Sequence, residues 1–244
     1  MSLPVAVVSG GSAGIGLSIV QHLLDAGYEV INLSRRGSPD TPASHTNLHD
    51  FKVDLADRAA TGAMARRIAK DFQVTHLVHN AGEVRPGSIE DATQADLAHL
   101  SALHLAAPLT LTQAFLPAMR EANLGRIVFI ASRAVQGKAL RTVYAATKAG
   151  MIGLARSWAL ELGGDGITVN VIAPGPIATE LFRKGNPPGS PATKKIIENV
   201  AVKRMGEPDD VARAAMFFLD PQNGFVTGQT LYVCGGLSVG ISPV

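Results

Sequence analysis

A single α/β domain built on one doubly wound parallel sheet is the fold predicted by this 244-residue sequence. Three observations predict it. Short apolar runs alternate with helical stretches as far as residue 172, with no linker between them. The first run feeds a glycine-rich turn and then a helix. The polar residues with chemical promise fall just after the apolar runs, where open parallel sheets bind their ligands.

Residues 4–9, Pro-Val-Ala-Val-Val-Ser, are continuously apolar up to the serine, as a strand covered on both faces requires. Gly10-Gly-Ser-Ala-Gly14-Ile-Gly16 follows. Leu17, Val20, Leu23 and Leu24 then mark one face of a helix that Gly27 ends. Glycines let a backbone approach a pyrophosphate, and a helix N-terminus supplies unbonded amides and partial positive charge. The spacing Gly-x3-Gly-x-Gly differs from the Gly-x-Gly-x-x-Gly fingerprint, but the mechanics are the same. The competing reading is a tight turn with no ligand.

A second strand over 29–34 ends in Ser34-Arg35-Arg36-Gly37. An NAD site would place an acid there to hold the ribose hydroxyls. Two guanidiniums suit a 2′-phosphate instead, so NADP(H) is expected in preference to NAD(H); a solvated arginine pair is the alternative. Residues 38–50 read as a polar loop carrying His45 and His49. No carboxylate or cysteine stands at ligand spacing from them, and no metal site is expected.

A short strand leading to Asp54, a helix over 57–71 and a strand over 74–79 come next. His76 and His79 point to opposite faces of that strand and cannot chelate together. The strand ends in Asn80-Ala81-Gly82. A long helical stretch over 94–122 carries His104, and Pro108 should kink or break it.

The apolar run 126–131 delivers Ser132, and Tyr144 and Lys148 follow in what reads as a long helix. Residues four apart share a helix face. An ammonium beside a phenol should lower the tyrosine pKa, which would make Tyr144 an acid and base near neutral pH. Ser132 could hold a substrate oxygen beside it. Tyr-x-x-x-Lys alone occurs by chance in many helices, so its weight comes from its neighbours.

Gly163-Gly-Asp-Gly166 ends that helix, and a strand over 167–172 leads to Pro174-Gly175-Pro-Ile177-Ala-Thr179. Residues 180–205 read as a flap over the site, rich in proline and glycine. Its basic residues are Arg183, Lys184, Lys194, Lys195, Lys203 and Arg204, against Glu180 and Glu198. They either attract an anionic substrate or form a solvated face. A helix over 208–219 and a strand from Thr230 close the chain; Cys234 in that strand reads as inert packing.

With 22 basic and 20 acidic residues the formal net charge is +2, too balanced for a nucleic-acid partner or a polybasic membrane surface. No apolar run approaches a membrane span. The first residues lack the basic segment of a secretory signal. The single cysteine fits a reducing, cytoplasmic setting. Helices over about 96–118 and 144–162 are apolar on most of their circumference, which calls for a partner on more than one side.

Taken in order, residues 9–16, Asp54, Asn80-Ala81-Gly82, Ser132, Tyr144-x-x-x-Lys148, Pro174–Thr179 and the tail motifs Arg204-Met-Gly-Glu-Pro and Val226-Thr-Gly-Gln-Thr resemble the short-chain dehydrogenase/reductase family. The resemblance covers nearly the whole chain and is strongest to the 3-oxoacyl-carrier-protein reductase branch. It implies a Rossmann-type domain that reduces a ketone with NADPH, a 3-oxoacyl thioester or a similar substrate. A sugar, polyol or other secondary-alcohol dehydrogenase is the alternative, and a non-catalytic NADP-binding regulator the reading from another class.

The same resemblance implies residue roles. Tyr144 protonates the carbonyl oxygen, Lys148 binds the nicotinamide ribose and Ser132 orients the carbonyl. Cofactor contacts would come from Gly10, Ser12, Gly14, Ile15 and Gly16, then Ser34, Arg35 and Arg36. Asp54 and Leu55, Asn80, Ala81 and Gly82 would serve the adenosine side; Pro174, Gly175, Ile177 and Thr179 would serve the carboxamide side. His104 stands where the family carries an asparagine that helps hold a proton-relay water; an imidazole could keep the relay or merely pack. A homodimer or homotetramer is also implied.

Overall fold

The structure, a computed structural model, describes residues 3–37 and 46–239. Seven parallel strands run β1 Val5–Ser9, β2 Glu29–Ser34, β3 Leu48–Lys52, β4 Val74–His79, β5 Gly125–Ile130, β6 Ile167–Pro174 and β7 Thr230–Val233. Their order in the sheet is β3-β2-β1-β4-β5-β6-β7. The chain steps outward from β1 to β3 and then crosses back to β4. The strand order therefore reverses beside β1, and the crevice at the carboxyl ends opens there.

The helices are α1 Gly14–Asp25, α2 Arg58–Asp71, α3 Gln94–Ser101, α4 Ala107–Glu121, α5 Thr142–Leu162, α6 Glu180–Gly185, α7 Pro191–Asn199 and α8 Pro208–Leu219. Every residue of β1, β5 and β6 is buried, because helices cover both faces of the sheet. Strand alternation sorts the core in two. Val5 and Val7 join Phe115, Met119, Phe129 and Trp158 under α2, α4 and α5. Ala6 and Val8 join Ile19, Leu23, Val211 and Phe218 under α1 and α8. Each large apolar side chain taken from water contributes about 1.5–3 kcal/mol.

Two details differ from the sequence reading. His49 was expected in a loop and stands on β3, where its Nε2 lies 2.8 Å from Glu29 Oε1. An edge strand tolerates such polar composition, which is why the strand read as leading to Asp54 starts at Leu48, inside the stretch read as loop. His45 lies outside the described residues. The break expected at Pro108 takes the form of a π turn over Ala102–Ala106, which joins α3 to α4. Proline has no N–H to offer the carbonyl four residues back, that of His104, and a one-residue widening absorbs the mismatch. Among the described residues, no helix is long and apolar enough to cross a membrane.

Candidate active site

The carboxyl ends of β1, β2, β4, β5 and β6 surround a cavity of about 1090 Å³. At one end the glycine loop turns into α1. Gly14 has φ of 55°, in the left-handed region that favours glycine. The N-cap, Ala13, has no side chain that could cap the helix, so the first-turn amides are open to an anion. Gly16 does not line the cavity. It packs behind the loop, where a Cβ would fall 2.2 Å from the Gly10 carbonyl oxygen.

The loop is held by three side chains, of which the sequence reading named Ser9 and Asn80 but not Asn32. The Gly11 amide donates to Asn32 Oδ1 at 2.9 Å. Ser9 Oγ accepts from the amides of Asn80 and Ala81, each at 3.0 Å. Asn80 Nδ2 donates to the carbonyls of Ser9 and Gly10, so its side chain braces β4 against β1. The readable signal for Asn32 was an amide inside the apolar run Val-Ile-Asn-Leu.

Ser34, Arg35 and Arg36 line the cavity at the end of β2, and that stretch brings no carboxylate to it. Ser34 Oγ accepts from the Gly37 amide at 3.0 Å and closes the turn. Both arginines are exposed, and neither makes an ion pair with a described residue. Asp54 and Leu55 form the adjoining wall. An uncapped helix, a backbone stripped of Cβ atoms and two guanidiniums without an ion pair among the described residues suit the phosphates of a dinucleotide.

At the other end Ser132, just past β5, caps a short 3-10 turn by accepting from the Ala134 amide at 3.1 Å. Tyr144 and Lys148 stand one turn apart on α5, and both line the cavity with Ser132. Lys148 Nζ donates to the Ile130 carbonyl at 2.7 Å and sits 5.9 Å from the Tyr144 ring centre. Burial drives the Lys148 pKa down to about 7. Burial also raises that of Tyr144, against a side-chain hydrogen bond with Ser132 and the charge of Arg141. The depression expected from Lys148 therefore does not govern the phenol. The ammonium is turned toward a carbonyl and is itself driven toward neutrality, so desolvation wins.

His104 is wholly buried and lies behind the cavity wall rather than on it. Nε2 accepts from the Glu83 amide at 3.3 Å, which requires the tautomer with hydrogen on Nδ1. That hydrogen meets Thr147 Oγ1 at 2.9 Å, and the threonine hydroxyl in turn reaches the carbonyls of Val143 and Tyr144. Desolvation, with the charges of Lys148 and His99, pushes the His104 pKa down to about 2.

Pro174, Gly175, Ile177 and Thr179 form the third side, with Thr179 close against Gly14 across the crevice. Leu181 and Phe182 of α6 and Ile196 of α7 also reach the cavity. Of the six basic residues in 180–205 only Lys184 does so, and it is paired with Glu180 at 3.0 Å. Three cations that the sequence reading passed over, Arg133, Lys138 and Arg141, line the wall between Ser132 and Tyr144.

Known proteins match this arrangement along its length. The family model described as enoyl-(acyl carrier protein) reductase matches residues 10–238. The (2S)-((R)-hydroxy(phenyl)methyl)succinyl-CoA dehydrogenase subunit BbsD of Thauera aromatica is 34% identical over 244 residues, 96% of either chain. An acetoacetyl-CoA reductase of Rhizobium meliloti is 34% identical over 237 residues, 95% of this chain and 97% of the relative. Among solved structures, a candidate NAD(P)-dependent gluconate 5-dehydrogenase of Beutenbergia cavernae, with bound NADP at low occupancy, superposes with a TM-score of 0.88. It is 28% identical and matched over 97% of both chains.

Proposed function

The chain belongs to the short-chain dehydrogenase/reductase family, and from that premise we propose that it reduces a ketone to a secondary alcohol with NADPH. One observation carries the reading. Ser132, Tyr144 and Lys148 share a cavity whose far end is a glycine loop flanked by Arg35 and Arg36. Gly10, Ser12, Gly14 and Ile15 would hold the pyrophosphate, Arg35 and Arg36 the 2′-phosphate, and Ile177 and Thr179 the carboxamide. The bound nicotinamide supplies the hydride.

The chain's own task is the proton. A phenol whose pKa is raised by burial stays protonated at neutral pH, the form that can donate to a carbonyl oxygen. The Ser132 hydrogen bond and the Arg141 charge oppose that rise, so they stabilise the phenolate that donation leaves. Lys148 Nζ, with a pKa near 7, gives up and regains a proton in the working range. His104 is a positioning residue here, fixing Thr147 and the Glu83 amide beside the triad. Residues 180–205 act as the substrate flap through Leu181, Phe182 and Ile196.

The relatives' names support a 3-oxoacyl thioester, since two of them act on CoA thioesters. The candidate gluconate dehydrogenase supports a hydroxy acid or sugar instead. Leu109 and the 88%-exposed Leu160 leave apolar surface on α4 and α5, which supports a homodimer or homotetramer; a monomer by light scattering would remove that assignment. The test of function is NADPH oxidation against 3-oxoacyl thioesters, diketones and keto sugars, with Tyr144→Phe as control. Loss of the proton donor should slow turnover by about 10²–10⁴. Tight NADPH binding with no turnover on any ketone would favour a regulator.

A further inference from the structure

We propose that Arg133, Lys138 and Arg141 form a cradle for a carboxylate on the substrate, so that the ketone reduced in this site is a keto acid. The inference rests on the reductase reading above and narrows it.

The three cations share one wall of the cavity and one short segment, the stretch from Ser132 to Tyr144. They lack acidic partners among the described residues, whereas the nearby lining acids are already engaged. Glu83 pairs with Arg85 at 3.0 Å and with His99 at 3.3 Å, and Glu180 pairs with Lys184. The cations are also near enough to repel one another. The charges of Arg141 and Arg133 both press the Lys138 pKa down, in the same direction as desolvation. Like charges gathered on a concave wall raise the local concentration of anions and are relieved when one binds.

The segment is held in an unusual shape. Leu140 has φ of 59°, a left-handed conformation that leucine seldom adopts. Its carbonyl accepts from the Gly87 amide at 3.2 Å and from the Arg141 guanidinium at 2.6 Å. That bond orients Arg141 and leaves its other N–H groups for a ligand, and a guanidinium fork matches a carboxylate edge-on.

Position decides which anion. Arg133 adjoins Ser132 in sequence, and the charge of Arg141 is felt by the Tyr144 phenol. Since these cations line the same cavity as Ser132 and Tyr144, an anion held by them sits toward that end rather than at the glycine loop. A carboxylate a few carbons from a ketone meets that condition. The phosphates of a pantetheine thioester are carried on a long arm, many bonds from the keto group, and do not.

The experiment compares kcat/KM, with NADPH, for short 2-, 3- and 5-keto acids, their methyl esters, and acetoacetyl-CoA. The wild-type protein should favour at least one acid over its own ester by tenfold or more. That ratio should fall at least tenfold in Arg133→Gln, chiefly through KM for the acid, and in Arg141→Gln on top of a loss of kcat common to acid and ester, and recover in part in Arg141→Lys. Equal use of acid and ester, or equal losses on both in the variants, overturns the cradle while leaving the reductase intact. Selective loss of acetoacetyl-CoA turnover in the variants overturns the carboxylate in favour of phosphate binding. NADPH binding without turnover of any ketone refutes the reductase reading and the cradle with it.

Discussion

Replacing Lys148 with methionine should make the protein inactive and, at neutral pH, more stable. The side chain is 3% exposed and its pKa falls from 10.5 to about 7, with burial as the cause. At about 1.36 kcal/mol per unit, that shift corresponds to roughly 5 kcal/mol against folding while the unfolded chain holds the proton. Methionine removes this penalty but leaves the Ile130 carbonyl without its donor, which costs about 1–2 kcal/mol. The net gain is about 3 kcal/mol, or roughly 6–12 °C in Tm for a chain of this size.

The pH dependence makes the argument specific. Below pH 7 both folded and unfolded lysine are protonated, so the full penalty applies and the variant's advantage is greatest. Between 7 and about 10.4 the folded lysine has released its proton and the unfolded one has not, so the wild type gains stability as pH rises. The advantage should vanish near pH 9, by roughly 1.36 kcal/mol per pH unit, and reverse at pH 10. Urea unfolding of both proteins at pH 6, 8 and 10 measures this. A variant less stable at pH 6, or a difference independent of pH, would refute the account of Lys148 as a buried, destabilising cation.

Two further substitutions test the cofactor end and the helix behind the triad. Arg35→Ala should lower the NADPH-over-NADH ratio of kcat/KM by about tenfold or more, the worth of one charge-assisted contact; an unchanged ratio takes the 2′-phosphate away from Arg35. His104→Asn should lower the unfolding midpoint, because the Glu83 amide loses its buried acceptor. It should leave the shape of the pH–rate profile unaltered, because an imidazole with a pKa near 2 is neutral throughout the working range. A limb of that profile shifted by the substitution would restore His104 to the proton relay.

What could be read from the sequence was what local pattern encodes. Continuous apolar runs marked six of the seven strands, and the order of motifs marked the family. The seventh, β3, reads as a short strand leading to Asp54, but its polar first half, Leu48 to Asp50, reads as loop. The candidate site was legible as a set of positions at strand ends, but its electrostatics were not. Spacing put Lys148 on the same helix face as Tyr144. Only the fold shows that Nζ turns to Ile130 and that burial outweighs the charge. Cations drew attention in 180–205, where they are dense in sequence. Of those only Lys184 reaches the cavity, whereas all three basic residues of 133–141, set among neutral ones in the sequence, line it.

Burial is the common cause behind the chemistry proposed for this wall. One desolvated environment raises the phenol pKa and lowers the ammonium pKa, so it separates two groups whose ordinary values nearly coincide. Groups whose environments push their pKa values apart take distinct proton roles. In the proposed reaction Tyr144 holds its proton until a carbonyl oxygen develops negative charge. Once it has donated, a protonated Lys148 is the stronger acid of the two, and return of a proton to the phenolate runs downhill. Nζ donates to the Ile130 carbonyl rather than to the phenol, so the proposed return passes through a bridging hydroxyl or water. His104 cannot supply the proton, since its one N–H is committed to Thr147. The refilling of Tyr144 after each reduction therefore depends on Lys148, and its rate should fall as pH rises through 7.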